Sequence, residues 1–323
     1  MHTWRTWHRP LVVFSALMIA LTVVTGTGLV IDDRTVMNSP VWFKPFKFSV
    51  SFAAYGLSLA WMLSLLTRSG TARRARIGWW AGAVVAVASL AEMVLIVGQA
   101  ARGKRSHFNV ETPLDATLFA LMGMTVVVLW LGSLVIAVLV LRTKLLDRAA
   151  SLAVKAGAVL ALAGTALGFL MTQPTAAQRR AGITDTAGAH SVGMADGGPS
   201  MAVTGWATTG GDLRIPHFVG MHSLQLLPLL ALLLLALAPR VARLADPVVR
   251  LRLTAVASAS YAALLALVTW QALRGQALVH PDATTLAAAG ALAVATAVGT
   301  LASLRTPRTP GGRVARNDKE LAA

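Results

Sequence analysis

The chain has 323 residues, of which 56% are hydrophobic and only 13% charged, with a mean hydropathy of +0.66, a composition that excludes a soluble globule. The net charge of +16 does not imply a nucleic-acid partner, because the basic residues form short clusters between apolar runs, as the positive-inside rule describes. With no cysteine, disulfides, thiolate nucleophiles, thiolate-held metals and iron–sulfur clusters are excluded as well.

The first apolar run, Leu11–Ile31, follows Arg5 and Arg9 and is too long for a cleaved signal peptide, so it reads as a retained signal-anchor helix. Further runs follow at Phe48–Leu66, Ile77–Gln99, Ala116–Leu141, Ala149–Met171, His217–Leu237, Leu253–Leu273 and Thr285–Leu304. Each is long enough to cross about 30 Å of hydrocarbon, which predicts an all-α polytopic membrane bundle of about eight transmembrane helices. The N-terminus and segments 67–76, 142–148, 239–252 and 304–323 carry 18 of the 29 Lys and Arg, and the alternate segments 10. That bias predicts a multi-pass protein of the bacterial cytoplasmic (inner) membrane with both termini in the cytoplasm. The remaining Lys155 can snorkel to the interface. The expected organisation is a first four-helix half over 1–148, a second over 149–304, and a disordered basic tail over 305–323.

Two small-residue pairs, Gly78/Gly82 and Gly164/Gly168, suit close helix contacts, and Pro228 can kink the sixth span. One connection, 172–216, is far longer than the rest. It contains Trp206, Val203 and Ile215 among its glycines, which predicts a folded extracytoplasmic lid.

Polar chemistry gathers on the predicted outer side. His2 and His8 lie in the N-terminal segment, whereas His107, His190, His217, His222 and His280 all fall at the outer face. Neutral imidazole ligates metals and exchanges protons near neutral pH, so a one-sided set points to a site. Glu92 lies inside the third span, on a face shared with Ser89, Gln99 and Arg102; a carboxyl in hydrocarbon is costly and requires a partner. His217 and His222 are five residues apart, about 140° around a helix, so they share a metal only if His217 lies outside regular helix. His222 and Gln225 do share a face. Lys44 and Lys47, interleaved with Trp42, Phe43, Phe46 and Phe48, suit an interfacial belt and also an anionic ligand.

Three strings, Arg102-Gly-Lys-Arg-Ser-His-Phe-Asn109, Gly188-Ala-His190 with Asp196-Gly-Gly-Pro199, and Gly211-Asp-Leu-Arg-Ile-Pro-His217-Phe-Val-Gly-Met-His222, run through the polar segments. In these the chain resembles uncharacterised multi-pass membrane proteins of actinobacteria and other GC-rich bacteria. The resemblance implies the architecture and carries no activity across.

These residues lead to the expectation of a membrane-embedded, metal-dependent enzyme of hydrolase type, open to the extracytoplasmic leaflet and acting on a lipid or small anionic amphiphile. His107, His190, His217, His222 and Asp196 are the expected ligands of a transition metal, zinc or similar. Glu92 and Asp212 are the expected catalytic groups. Lys44, Lys47, Gln99, Arg102, Asn109 and Gln225 are expected to bind substrate. The alternatives are a transporter or small-ligand receptor using Glu92, a structural subunit, and, less favoured, a haem protein. The bilayer is the expected partner.

An internal duplication is also expected. Gln99-Ala-Ala-Arg-Gly103 closes the third span and Gln271-Ala-Leu-Arg-Gly275 the seventh. Each is followed by a histidine and then by Asp-Ala-Thr, at Asp115 and Asp282. The same offset of four helices places Lys47 opposite His222. Helix capping accounts for the Arg, Gly and Asp but not for the preceding Gln-Ala.

Overall fold

The structure, a computed structural model, describes residues 7–69, 71–145 and 147–305; His2 and the expected tail beyond Arg305 lie outside them. Among the described residues eight helices are long and apolar enough to cross a membrane: α1 (Arg9–Ile31), α2 (Phe43–Ser69), α3 (Ala72–Ala101), α4 (Pro113–Leu141), α5 (Arg148–Leu167), α7 (Arg214–Leu237), α8 (Pro247–Leu273) and α9 (Ala283–Leu304). A one-turn helix, α6 (Ala176–Arg180), lies in the long connection. Outward-facing Val23, Val94, Leu233 and Val294 are exposed, as side chains turned toward lipid would be.

The helices run past the apolar runs because their ends are capped. Thr71, Thr112, Asp147, Asp246 and Asp282 each accept a backbone N–H of the first turn of the next helix. Helix α2 begins at Phe43, five residues earlier than the apolar run, and α7 begins at Arg214. In both, the proline (Pro45, Pro216) is the third helical residue, where an N–H would have no intrahelical acceptor. Lys44, Lys47 and His217 are therefore helical residues with directions fixed by the backbone, not loop residues.

Packing follows one order twice. Helix α1 packs on α2 and α3, α2 on α3, and α3 on α4; α5 packs on α7 and α8, α7 on α8, and α8 on α9. The two sets meet where α4 touches α5 and, more lightly, where α2 touches α7. The tightest crossing joins α5 to α7, where Gly164 and Gly220 stand backbone against backbone and a Cβ on either would overlap the other. Gly78 instead makes room for the side chains of Leu63 and Leu66, and Gly82 for those of Leu63 and His8.

The long connection is a folded lid. Its strands β3 (Ser191–Val192) and β4 (Gly211–Asp212) pair antiparallel, and a bridge joins Asn109 to Thr186. It is tied to every neighbouring connection at that end. Asn38, in the hairpin of β1 (Thr35–Val36) and β2 (Ser39–Pro40), donates to the Gly197 carbonyl at 2.9 Å. Lys47 donates to that of Thr204 at 2.8 Å, and Arg105 to that of Asp185 at 2.7 Å. Arg214 donates to the Gly205 carbonyl at 2.6 Å, and His280 Nδ1 lies 3.0 Å from that of Thr208.

Candidate functional site

Two carboxylate–histidine pairs, one in the lid itself and one beneath it, both have their imidazoles against Phe108. In the first, Asp196 Oδ2 is 3.0 Å from His190 Nδ1, and the same carboxylate accepts the backbone N–H groups of His190 and Ser191. Burial alone would raise the Asp196 pKa, but the hydrogen bonds from His190 and Ser191 outweigh it and hold the group below the usual carboxylate range. Burial pushes His190 down, as do the charges of Arg214 and Lys44, against the opposing bond to Asp196. A neutral imidazole donating Nδ1–H to a carboxylate leaves Nε2 as a bare lone pair, the arrangement of a general base.

In the second pair, Glu92 Oε1 is 3.6 Å from His107 Nε2, too long for a hydrogen bond, and is otherwise buried without a partner. Glu92 Oε2 lies 2.6 Å from Thr125 Oγ1 on α4. That hydroxyl is also 2.8 Å from the Met122 carbonyl. Thr125 has one proton to give. It donates to an ionised Glu92, or donates to Met122 and accepts from a protonated Glu92. The site thus accommodates both states of the acid. Burial, and after it the charge of Lys44, holds His107 well below the ordinary imidazole range.

Aromatic rings build the walls. Phe48 of α2 stands edge-on to His107 at 5.9 Å, and Phe108 edge-on to His107 at 6.1 Å and to His190 at 4.8 Å. Phe108 has φ of 61°, a conformation strained for a bulky side chain, and its carbonyl accepts the Ala187 N–H of the lid at 3.0 Å. Lys44 is within electrostatic range of Glu92 and Asp196. Its ammonium faces the Phe48 ring at 5.8 Å and has no hydrogen-bond acceptor among the described residues.

The remaining expected residues do other work. His217 Nδ1 donates to the Gly164 carbonyl at 2.8 Å at the α5–α7 crossing, and its charge would be felt at His107. His222 Nδ1 is 3.2 Å from Gln225 Oε1, with Phe218 stacked at 4.2 Å. Asp212 is wholly buried; Arg214 engages both its oxygens, and the Ala207 N–H also binds it, so it anchors the lid. Asn109 is buried and braces its own loop through the Glu111 N–H and the Arg105 carbonyl. Gln99 and Arg102 are drawn to Asp115, at 3.0 and 2.8 Å, and not to Glu92.

The expected metal centre is not assembled. Among the described residues no three His, Cys, Asp or Glu side chains are placed to hold an ion. The physical reason is local: Asp196 spends both oxygens on the lid backbone and His190, His217 faces a carbonyl, and His217 and His222 point apart on one regular helix. Sequence reasoning missed Thr125, Phe48 and Phe108. Phe108 adjoins His107 in sequence, whereas nothing in the apolar α4 run marks Thr125 as the partner of Glu92.

No protein-family model, no curated protein and no solved structure matches this chain.

Proposed function

We propose that the protein is a membrane-embedded hydrolase working by general acid–base catalysis on an anionic amphiphile at the extracytoplasmic face. The observation that carries this reading is the His190–Asp196 pair, whose Nε2 has no hydrogen-bond partner among the described residues, together with the half-buried ammonium of Lys44, which lies within electrostatic range of Asp196 and lacks an acceptor. The orientation rests on the excess of Lys and Arg in the connections at the opposite end of the bundle.

In this reading Lys44 holds the anionic group of the substrate. His190 Nε2 takes a proton from water as the water oxygen bonds to the electrophilic centre. The bond from that centre to the leaving oxygen then breaks, and the oxygen takes a proton from the Glu92–His107 pair. Phe48, Phe108 and the lid exclude bulk water, which strengthens each electrostatic contact. The donors do not converge as a metal requires, so no step is assigned to one.

The test is release of fatty acid or phosphate from a panel of defined lipids by the protein in nanodiscs. Wild type should outpace His190→Ala by about a hundredfold or more, the usual contribution of a general base. Equal rates across the panel remove the reading. A second reading, a proton-coupled transporter, is favoured by the two proton arrangements open to Glu92. Proton uptake by loaded proteoliposomes that depends on Glu92 would put it first.

A further inference from the structure

The seam between the two helix sets holds a cavity on the same stripe of α2 that carries Lys44. Its walls come from four helices: Tyr55, Leu59 and Met62 of α2, with residues of α4, α5 and α7. Counted from Lys44, Phe48 and these three residues follow after 4, 11, 15 and 18 positions. At about 100° per residue all five fall within about 60° of one another. The same holds on α4: Ile136 of the cavity lies 11 positions after Thr125, the partner of Glu92, which is about three turns further on the same face.

Depth and polarity agree with one kind of occupant. Tyr55 lies about 16 Å along the helix from Lys44, well inside the hydrocarbon region of a bilayer. The polar atoms of the lining are already engaged: Tyr55 with Ser133 at 2.5 Å, and Thr165 with the Ala161 carbonyl at 2.9 Å. The surface left to a ligand is therefore hydrocarbon, and Ala137, Ala158 and Ala161 keep it open. The cavity is narrow in the closed bundle. It lies at the seam, where α2 meets α7 only lightly and α4 meets α5 less extensively than α3 meets α4 or α5 meets α7, so a chain could part the helices there.

We infer that this cavity receives the hydrocarbon chain of an anionic amphiphile whose headgroup is held by Lys44, an assignment that rests on the site proposed above. A cation in the first turn of α2 with an apolar cavity further along the same helical face is complementary to such a molecule and not to a fully water-soluble anion.

The experiment is photo-crosslinking of the full chain in nanodiscs, with a mid-chain diazirine supplied either in a free fatty acid or in a phospholipid; whichever labels the cavity identifies the source. Adducts are expected on Tyr55, Leu59 or Met62. Ala161→Phe, which fills the cavity, should reduce them by about tenfold, the factor that lost burial of one or two methylenes represents. Leu59→Ala, which enlarges the cavity, should raise the yield on the remaining positions and guards against a filled variant that fails to fold. Adducts confined to outward-facing residues such as Val94 and Val294, or unchanged by both variants, overturn the inference. Cavity adducts that respond to Ala161→Phe but not to Lys44→Ala leave the chain site standing and overturn the headgroup assignment alone.

Discussion

Asp196 holds the backbone N–H of His190 and the Nδ1 of the same residue, so one carboxylate fixes both where the ring sits and which nitrogen carries its proton. Histidine-labelled protein should show His190 as the Nδ1–H tautomer at neutral pH by nitrogen NMR. Asp196→Asn has only one acceptor oxygen and turns an NH2 toward backbone donors, so the tautomer preference should be lost along with turnover. A wild-type ring protonated at Nε2 would sink the base assignment.

The buried histidines also predict how stability depends on pH. Burial lowers both His107 and His190 in the folded protein, and unfolding returns them to about 6.5. Between the folded values and 6.5 the unfolded chain binds more protons, so stability is full above that window and falls as the pH drops through it. The thermal midpoint should therefore decline as the pH is lowered from about 7.5 to about 5.5, and His107→Gln should flatten the decline. A midpoint that rises on acidification contradicts the prediction.

Asp115 and Asp282 occupy corresponding connections but should differ in cost. Asp115 is wholly buried and accepts from Gln99, Arg102 and Thr112, whereas the Asp282 side chain is 39% exposed. Asp115→Ala leaves the buried Gln99 amide and the Thr112 hydroxyl without their acceptor, while Arg102, 38% exposed, can turn to water, and should cost about 2 kcal/mol. Asp282→Ala should cost about 1 kcal/mol, a lost N-cap. Denaturation in mixed micelles distinguishes these values, and equal losses would count against the buried network.

At the α5–α7 crossing, Gly164→Ala or Gly220→Ala should separate the helices and draw the Gly164 carbonyl away from His217. The expected loss is about 2 kcal/mol or more, from overpacking at a backbone contact. Alanine tolerated at both positions would show that the crossing is looser than described.

The absence of cysteine makes topology simple to examine. Ser200→Cys in the lid should react with an impermeant maleimide on intact cells, and Lys144→Cys, between α4 and α5, only after permeabilisation. The reverse pattern would move the candidate site to the cytoplasmic face.

The fold was legible because hydropathy, glycine and charge bias are local signals: eight apolar runs became eight membrane-length helices, and Gly164 met the close contact its spacing suggested. The lid was legible from Ile215, which is buried, and Trp206, which is half-buried, whereas Val203, expected to fold inward with them, is 82% exposed. The polar site was legible only in part, because residue type does not say who the partner is. Glu92 lies on the same helical face as Gln99 and Arg102, yet these turn to Asp115 while Glu92 meets Thr125 on α4. The sequence match of Asp115 to Asp282 was off by one cap. Thr112 is the N-cap and Asp115 the third residue of α4, whereas Asp282 is the N-cap and Thr285 the third residue of α9. The two ends have exchanged residue types while Arg102 and Arg274 keep the same reach toward them. Beyond capping, Gln99 and Gln271 each donate to the carbonyl six residues on, which is the further likeness that a duplication would leave. We keep the duplication as a proposal; superposition of the two sets of four helices, bringing Arg102 onto Arg274, is its test.

The side-chain ties between the lid and its surroundings have a direction. At Gly197, Thr204, Gly205, Asp185 and Thr208 the lid offers main-chain carbonyls, and the residues that reach for them belong to the membrane body and its short turns. A main-chain carbonyl is present whatever amino acid is written there. At Thr204 and Thr208 the lid can thus drift in sequence while staying shut; Gly197 and Gly205 are held to glycine by φ of 88° and 67°, and the Asp185 carboxylate also pairs with Arg105 at 3.6 Å, while Asn38, Lys47, Arg105, Arg214 and His280 are needed as donors. Among relatives of this chain, variation at Thr204 and Thr208 over a constant set of donors and of positive-φ glycines is the pattern that this division of labour would leave behind.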